Sequence, residues 1–202
     1  MKTIIIPCSG RKLASGKAAF KTPQLASVLG NEDFHKLLAL RDELSKLIDL
    51  PPGPDIGSAI AEPSLKYRPA FDRYDGKMYQ TAEFRQTFLG FGGQVLIVSA
   101  LYGLLDANDY IRDYNLAMKN KLPTGKKVWH WWSRNGLGSF VETALRKIRT
   151  TETHELLSTD YRKTVGCLSS NNQYRVKKYS YPGQGTGSLY RRREDLKRIL
   201  LE

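Results

Sequence analysis

Cysteine and histidine are scarce in this chain. Its 202 residues include two cysteines, Cys8 and Cys167, and three histidines, and no Cys-x-x-Cys spacing occurs. This scarcity excludes a disulfide framework and leaves too few ligands at suitable spacing for a zinc site. We therefore expect a protein of a reducing compartment that holds no metal and no other cofactor.

Long apolar runs are also missing. The opening segment Met1–Ile6 contains three consecutive isoleucines, which is too short for the apolar core of a signal peptide. No other stretch approaches the ~20 apolar residues that a membrane-spanning helix requires. The sequence therefore predicts a cytoplasmic protein without a membrane partner.

Acidic residues are outnumbered by basic ones. The chain has 32 lysines and arginines against 20 aspartates and glutamates, which gives a formal net charge of +12. Residues 161–202 hold ten of the basic residues and three of the acidic ones, an excess of seven. Such a charge attracts polyanions, and nucleic acid, most of all DNA, is the predicted partner. The alternative is a basic surface that serves solubility alone.

Hydrophobic patterning predicts a compact α/β fold with a mostly parallel central sheet flanked by helices. The isoleucine run predicts a buried first strand at Lys2–Pro7, and Gln94–Ser99 predicts a second. Helical spacing predicts two helices, Asn31–Leu50 and Thr81–Phe91, and Asn31 is the expected N-cap of the first. A helix followed by a buried strand is typical of parallel sheets, and the length favours one domain over residues 1–202.

The alternation of helix and strand continues to the end of the chain. The predicted elements are helices Thr124–Asn135 and Ser139–Thr150, strands His154–Leu157 and Gln173–Tyr181, a glycine-rich turn Pro182–Ser188 and a helix Leu189–Leu201. The last helix is amphipathic, and Leu189, Leu196, Ile199 and Leu200 are expected to face inward.

The loop after the first strand is a candidate anion site. Open α/β sheets bind ligands beyond the carboxyl ends of their strands, where this loop lies. Ser9 offers a hydroxyl, and Arg11 or Lys12 offers positive charge. The alternative is a tight turn with two solvated basic residues. Cys8 is expected to be a small buried hydrophobe rather than a nucleophile.

The C-terminal third is the predicted phosphate-binding face, because it interleaves cations with tyrosines that can stack on bases. Its candidate cations are Arg175, Lys177, Lys178, Arg191, Arg192 and Arg193. The three consecutive arginines are expected on the outer side of the last helix. The alternative for the predicted strand Gln173–Tyr181 is a solvated edge of the sheet, whose lysines prevent it from pairing with another strand.

Several short blocks, taken in order, carry a family resemblance. They are Ile4–Pro7, the Asp-Gly-Lys-Met-Tyr block Asp75–Tyr79, the Ser-Ala-Leu-Tyr-Gly-Leu-Leu block Ser99–Leu105 followed by Asp109 and Tyr114–Met118, Trp132, and the Ser-Thr-Asp-Tyr-Arg-Lys block Ser158–Lys163. As an ordered set, they resemble the YaaA family of bacterial stress proteins. The resemblance implies a compact α/β fold with a positively charged cleft, DNA binding, and a role in limiting oxidative damage.

The chain also departs from the family pattern. Asn115 and Ala117 stand where the family usually has Arg and Glu, and Gly-Gln-Gly-Thr-Gly at residues 183–187 replaces a basic stretch. Roles that depend on those charges do not carry over to this sequence. The chain resembles a shorter, divergent branch of the family.

The matching polar positions suggest a second hypothesis, an enzyme that acts on a nucleobase or nucleotide. Its candidate catalytic residues are Tyr102, Asp109, Tyr114, Asp160 and Lys163. In a shared pocket, Asp160 would stabilise an oxocarbenium-like sugar during glycosidic cleavage while Lys163 grips phosphate. The alternatives are tyrosines with buried rings and satisfied hydroxyls, and a plain surface ion pair. An anion-binding module without catalysis is the third hypothesis.

Overall fold

A five-stranded sheet forms the centre of the structure, a computed structural model that describes residues 1–60, 62–80, 82–182 and 186–202. The strands are β1 Lys2–Pro7, β3 Gln94–Ser99, β4 Gly103–Asp106, β6 Glu152–Glu155 and β7 Arg175–Lys178. Their spatial order is β4-β3-β1-β6-β7, and only β4 runs antiparallel to its neighbour. Two further strands, β2 Tyr67–Pro69 and β5 Tyr110–Arg112, pair separately. The predicted mostly parallel α/β fold is confirmed.

The helices pack around this sheet. They are α1 Gln24–Leu29, α2 Asn31–Leu47, α3 Ala70–Arg73, α4 Ala82–Gly90, α5 Val128–Arg134, α6 Leu137–Lys147, α7 Thr159–Val165 and α8 Thr186–Leu201. In the part of the chain that the structure describes, no helix is both long and apolar enough to cross a bilayer.

The isoleucine run explains why β1 occupies the middle of the sheet. Ile4, Ile5 and Ile6 are almost completely buried, because helices cover both faces of a parallel sheet. On one side β1 pairs in parallel with β3, and on the other side it pairs in parallel with β6. The predicted strands Lys2–Pro7 and Gln94–Ser99 are confirmed with their bounds.

Helix boundaries differ from the predictions where the backbone conformation decides them. Gly30, not Asn31, is the N-cap of α2, and its carbonyl accepts a hydrogen bond of 3.0 Å from the amide of Phe34. The predicted end at Leu50 was three residues too late. Asp49 adopts a positive φ of 52°, which an α-helix does not allow.

The C-terminal third shows similar shifts. Strand β6 begins two residues before the predicted His154, and β7 is shorter than the predicted Gln173–Tyr181. Helix α8 begins at Thr186, inside the predicted turn Pro182–Ser188. Residues 183–185 of this turn lie outside the described residues. Thr81, the first residue of the predicted helix Thr81–Phe91, also lies outside them.

The inward face of α8 is confirmed in part. Leu196, Ile199 and Leu200 are buried, but Leu189 is about one-third exposed. Leu189 lies in the first turn of the helix, where it lines a surface pocket instead of the core. Its predicted inward position was therefore wrong.

Three buried arginines hold the irregular segments in place. Arg41 donates to the carbonyls of Tyr102 and Leu104. Arg73 donates to four backbone carbonyls, those of Leu13, Ser15, Lys66 and Ile111. A buried carbonyl outside regular structure needs such a donor, and a guanidinium supplies five N–H groups in a fixed geometry. Arg73 thus anchors the loop that follows β1.

The third arginine, Arg112, forms a buried ion pair with Asp55. The Tyr102 hydroxyl donates to the same carboxylate at 2.5 Å and accepts from the amide of Arg112 at 3.1 Å. All three side chains are at most 2% exposed. The carboxylate is therefore fully satisfied, as a buried charge must be.

We expect Asp55→Ala to lower the free energy of unfolding by about 3–5 kcal/mol, because Arg112 would remain buried without its counter-ion. Urea denaturation measures the change. Asp42→Ala is the matched control, since Asp42 pairs with exposed Lys46 at the protein surface, where an ion pair contributes about 0–1 kcal/mol. Equal losses in the two variants would contradict the role of the buried pair.

Candidate functional site

The topology places a crevice at the carboxyl ends of β1 and β6. The chain leaves β1 towards β3 on one side and leaves β6 towards β7 on the other. In open α/β sheets, such a point of diverging connections is where ligands bind. The loop after β1 and helix α7 after β6 meet here, and the hydroxyl of Tyr161 lies 3.2 Å from Cys8 Sγ.

A pocket of about 160 Å³ opens beside this crevice. The first loop, the turn before α4 and helix α8 line it, with Pro7, Cys8, Ser9, Gly10, Gly76, Lys77, Met78, Tyr79, Leu189 and Arg192. We call it the first-loop pocket. The Tyr79 hydroxyl donates to the carbonyl of Pro7 at 2.7 Å, which fixes the turn against the end of β1.

Arg192 is the buried cation of the first-loop pocket. It is 4% exposed, so its predicted place on the outer side of α8 was wrong. Its guanidinium carbon lies 4.6 Å from the centre of the Tyr181 ring, in a cation–π contact. Burial lowers the pKa of Arg192, yet a guanidinium stays protonated in proteins. The pocket therefore contains a permanent positive charge.

Gly76 and Ser9 are in close contact in the pocket wall. A Cβ atom on Gly76 would collide with the Ser9 hydroxyl oxygen, so the absence of a side chain leaves room for this hydroxyl. That oxygen accepts a hydrogen bond from the amide of Arg11 at 3.2 Å. Within the described residues no acceptor for the hydroxyl proton is found, so it can donate to a ligand.

The two cations predicted in the first loop already have partners within the protein. Arg11 is exposed and pairs with Asp75 at 2.8 Å. Lys12 is half-buried, with its ammonium 3.9 Å from the centre of the Tyr114 ring, and burial lowers the pKa of this lysine. Ser9 is thus the member of the predicted trio that lines the pocket.

Tyr102 and Tyr114 meet in the core. Their rings lie edge to face with centres 5.5 Å apart. The Tyr114 hydroxyl is 2.9 Å from those of both Tyr74 and Ser99, while Tyr102 bonds to Asp55. Burial raises the pKa of both tyrosines well above the ordinary value. Both rings are therefore buried with satisfied hydroxyls.

Asp109 lies at a different place in the core. Its carboxylate accepts from the amide of Leu25 at 3.2 Å and from that of Asp106 at 3.0 Å. It thus joins the start of α1 to the turn after β4. Burial, followed by the neighbouring charge of Asp106, raises the pKa of Asp109 to about 7.

Asp160 and Lys163 are both on α7 but are not paired. Asp160 is half-buried, and Lys163 is exposed with its ammonium 5.4 Å from the centre of the Trp129 ring. Among the described residues, no hydrogen bond, ion pair or ring contact joins them to each other or to Tyr102, Tyr114 and Asp109. The catalytic roles of these five residues stay predictions.

The cations of β7 lie at the edge of the sheet. Arg175, Lys177 and Lys178 are all exposed. Lys177 pairs with Glu152 at 2.7 Å, and the ammonium of Lys178 lies 3.2 Å from Cys167 Sγ. This contact lowers the pKa of the Cys167 thiol.

Arg191 and Arg193 continue the positive charge on α8. Arg191 is exposed and donates to the carbonyl of Pro182 at 2.5 Å. Arg193 pairs with Glu194 at 2.8 Å and lies over the exposed ring of Tyr190. Lys77, from the rim of the first-loop pocket, also lies over this ring, with its ammonium 5.2 Å from the centre.

Comparison with protein-family models matches residues 11–187 to the peroxide stress protein YaaA family. This match covers most of the chain. The chain belongs to the peroxide stress protein YaaA family. Comparison with curated proteins gave no match. Two of the blocks that carry the resemblance to the YaaA family, Ile4–Pro7 and Asp75–Tyr79, contribute residues to the first-loop pocket.

Sequence reasoning missed two features of this YaaA-family site. The first is Lys77, which the block Asp75–Tyr79 contains but does not predict as a binding residue. In the structure it lies at the pocket rim beside Tyr190. Arg192 was placed on the wrong side of α8, because a charged residue in a helix is normally solvated. Its position four residues before Leu196 was a usable signal, since residues at this spacing share a helix face.

The pH dependence of stability tests the environment of Asp109. Its folded-state pKa of about 7 lies above the unfolded value of about 3.9. Its stabilising effect is complete below the unfolded pKa and is lost as the pH rises through 7. Between pH 6 and pH 8, the free energy of unfolding should therefore fall by roughly 1 kcal/mol more in the wild type than in Asp109→Asn. Urea denaturation at both pH values measures this difference, and parallel pH profiles would contradict it.

Proposed function

We propose that this YaaA-family protein binds DNA through contacts to backbone phosphates, with little preference for base sequence. The observation that carries the proposal is the row of exposed cations on edge strand β7, continued by those of α8. Lysine and arginine contacts to phosphates supply most of the affinity in non-specific DNA binding. They carry no direct sequence information.

The geometry of β7 supports this proposal. On its outer side no other strand pairs with it among the described residues, so Arg175 and Lys178 face solvent and are open to a ligand. Lys177 already has a carboxylate partner in Glu152. Arg175 and Lys178 are therefore expected to contribute more to phosphate binding than Lys177.

Helix α8 extends the same surface. Burial raises the pKa of the Tyr179 hydroxyl, and the nearby positive charge of Arg198 opposes this increase. Tyr179 directly follows β7 and Arg198 lies on α8, so the end of β7 and this helix are neighbours. Tyr190 is 43% exposed, and the cations of Lys77 and Arg193 both lie over its ring. A tyrosine ring in such a setting can stack on an unpaired base, whichever base it is.

We expect duplex DNA binding that weakens steeply with salt, because the bound cations displace counterions from the phosphates. Fluorescence anisotropy with a labelled duplex at several salt concentrations gives the slope of log K against log salt, at about 0.9 per phosphate contact. Two duplexes of equal length and unrelated sequence should bind alike. Binding that does not depend on salt, or no binding at low salt, would refute the proposal.

The double variant Arg175→Ala with Lys178→Ala locates the interface. Its slope should be smaller by about 2, roughly one for each phosphate-binding cation that the variant removes. The control variant, Lys36→Ala with Lys46→Ala, removes the same net charge from α2, where both lysines lie. If both variants bind DNA with equally reduced affinity, net charge rather than the β7 surface governs binding.

A further inference from the structure

Arg192 lacks the partner that a buried guanidinium normally has. Its Nε atom is buried with no hydrogen-bond partner, and no hydrogen bond or ion pair of this side chain is found among the described residues. Leaving such donors unsatisfied costs stability, because a buried charge needs a counter-charge or acceptors. The other buried arginines, Arg41, Arg73 and Arg112, all have acceptors.

Among the described residues, no carboxylate forms an ion pair with Arg192. The ionisable groups with the largest effects on its pKa are Tyr181, Arg162, Tyr161 and Tyr79, and none of these is a carboxylate. The carboxylate of Glu155 pairs with Arg162. The guanidinium of Arg192 therefore packs against the Tyr181 ring without an acidic partner, and its charge is available to a ligand.

The remaining polar groups of the first-loop pocket also suit an anion. The Ser9 hydroxyl has a proton to donate, Gly10 is exposed, and Lys77 adds a second positive charge at the rim. No aspartate or glutamate is among the described residues that line the pocket. Two cations and a hydroxyl donor form a typical environment for a phosphate group.

We propose that the first-loop pocket binds a phosphomonoester, with Arg192 as its main ligand and Ser9 and Lys77 as further donors. A phosphomonoester carries close to two negative charges at neutral pH, which matches the two cations. The pocket is about 160 Å³ and is closed on one side by the end of β1. A terminal phosphate has one ester arm to accommodate, whereas a backbone phosphodiester has two.

Tyr190 indicates what the phosphate is attached to. Its exposed ring stands next to Leu189 of the pocket wall and under the ammonium of Lys77. A nucleoside whose phosphate binds Arg192 can stack its base on this ring. The ligand class is thus a nucleoside monophosphate group, either as a free nucleotide or at the end of a nucleic-acid strand. This proposal does not rest on duplex binding by β7.

Isothermal titration calorimetry with inorganic phosphate, 5′-AMP and adenosine tests the site. Inorganic phosphate and 5′-AMP should bind, 5′-AMP more tightly, while adenosine should bind at least tenfold more weakly than 5′-AMP. In Arg192→Met the affinity for 5′-AMP should fall tenfold or more, since hydrogen bonds to a charged group contribute about 1.5–3 kcal/mol. In the matched control Arg134→Met, which changes an exposed arginine of α5, the affinity should not change.

Thermal unfolding without ligand separates binding from a structural role. Replacing an unpartnered buried charge by an apolar residue is often neutral or stabilising, so the Tm of Arg192→Met should equal or exceed that of the wild type. Gly76→Ala is the second variant, which keeps Arg192 but places a methyl group against the Ser9 hydroxyl. It should also weaken 5′-AMP binding, so that the site stays testable if Arg192→Met fails to fold.

Competition between a 5′-phosphorylated and a 5′-hydroxyl single strand distinguishes the two sources of the phosphate. A phosphorylated strand that binds more tightly than both its 5′-hydroxyl counterpart and 5′-AMP would support the site with a strand end as ligand. Equal binding of the two strands, together with binding of 5′-AMP, would support it with a free nucleotide. The proposal is overturned if the wild type binds neither 5′-AMP nor inorganic phosphate, or if Arg192→Met binds them as the wild type does. Salt-dependent duplex binding would be unaffected by that result, so the two proposals fail independently.

Discussion

Hydrogen bonding of buried guanidinium groups to backbone carbonyls is the constraint on which the rest of this structure depends. Between β1 and β3 and again after β4, much of the chain is irregular, and its carbonyls lack partners in a helix or sheet. From the core, Arg41 donates to the carbonyl of Asp55, and Arg73 donates to those of Ser15 and Lys66. Because Arg73 holds the carbonyls of Leu13 and Ser15, the first loop, and with it the wall of the pocket, has a fixed position.

The same residue type serves two purposes, and the presence or absence of acceptors separates them. The donors of Arg112 are used by Asp55 within the fold, whereas Arg192 faces a pocket whose described lining residues include no carboxylate. An acceptor for Arg192 within the protein would have increased the stability of the fold. Binding sites commonly retain such unsatisfied groups, because a partner within the protein would compete with the ligand.

Sequence patterns predicted those parts of the molecule that depend on local hydrophobicity. Strands β1 and β3 were predicted with their bounds, since an apolar run between turn residues has few other interpretations. Contacts between distant residues were not predictable: Asp55 and Arg112 are 57 positions apart. The predicted pocket of Tyr102, Tyr114, Asp109, Asp160 and Lys163 grouped residues by motif. In the structure, these residues lie in separate parts of the core and on α7. Their positions could not be predicted, because matching a family block does not determine which way a side chain points.

The cations of β7 have a consequence for the free protein as well. An unpaired edge strand exposes amide and carbonyl groups that can pair with a second copy of the chain, and lysines on such an edge prevent this by repulsion and by their hydration. Arg175, Lys177 and Lys178 are therefore expected to keep molecules apart through the same charges to which we assign the proposed DNA binding. A bound polyanion would neutralise this repulsion while covering the edge itself, so the strand would be protected in both states, first by charge and then by its ligand.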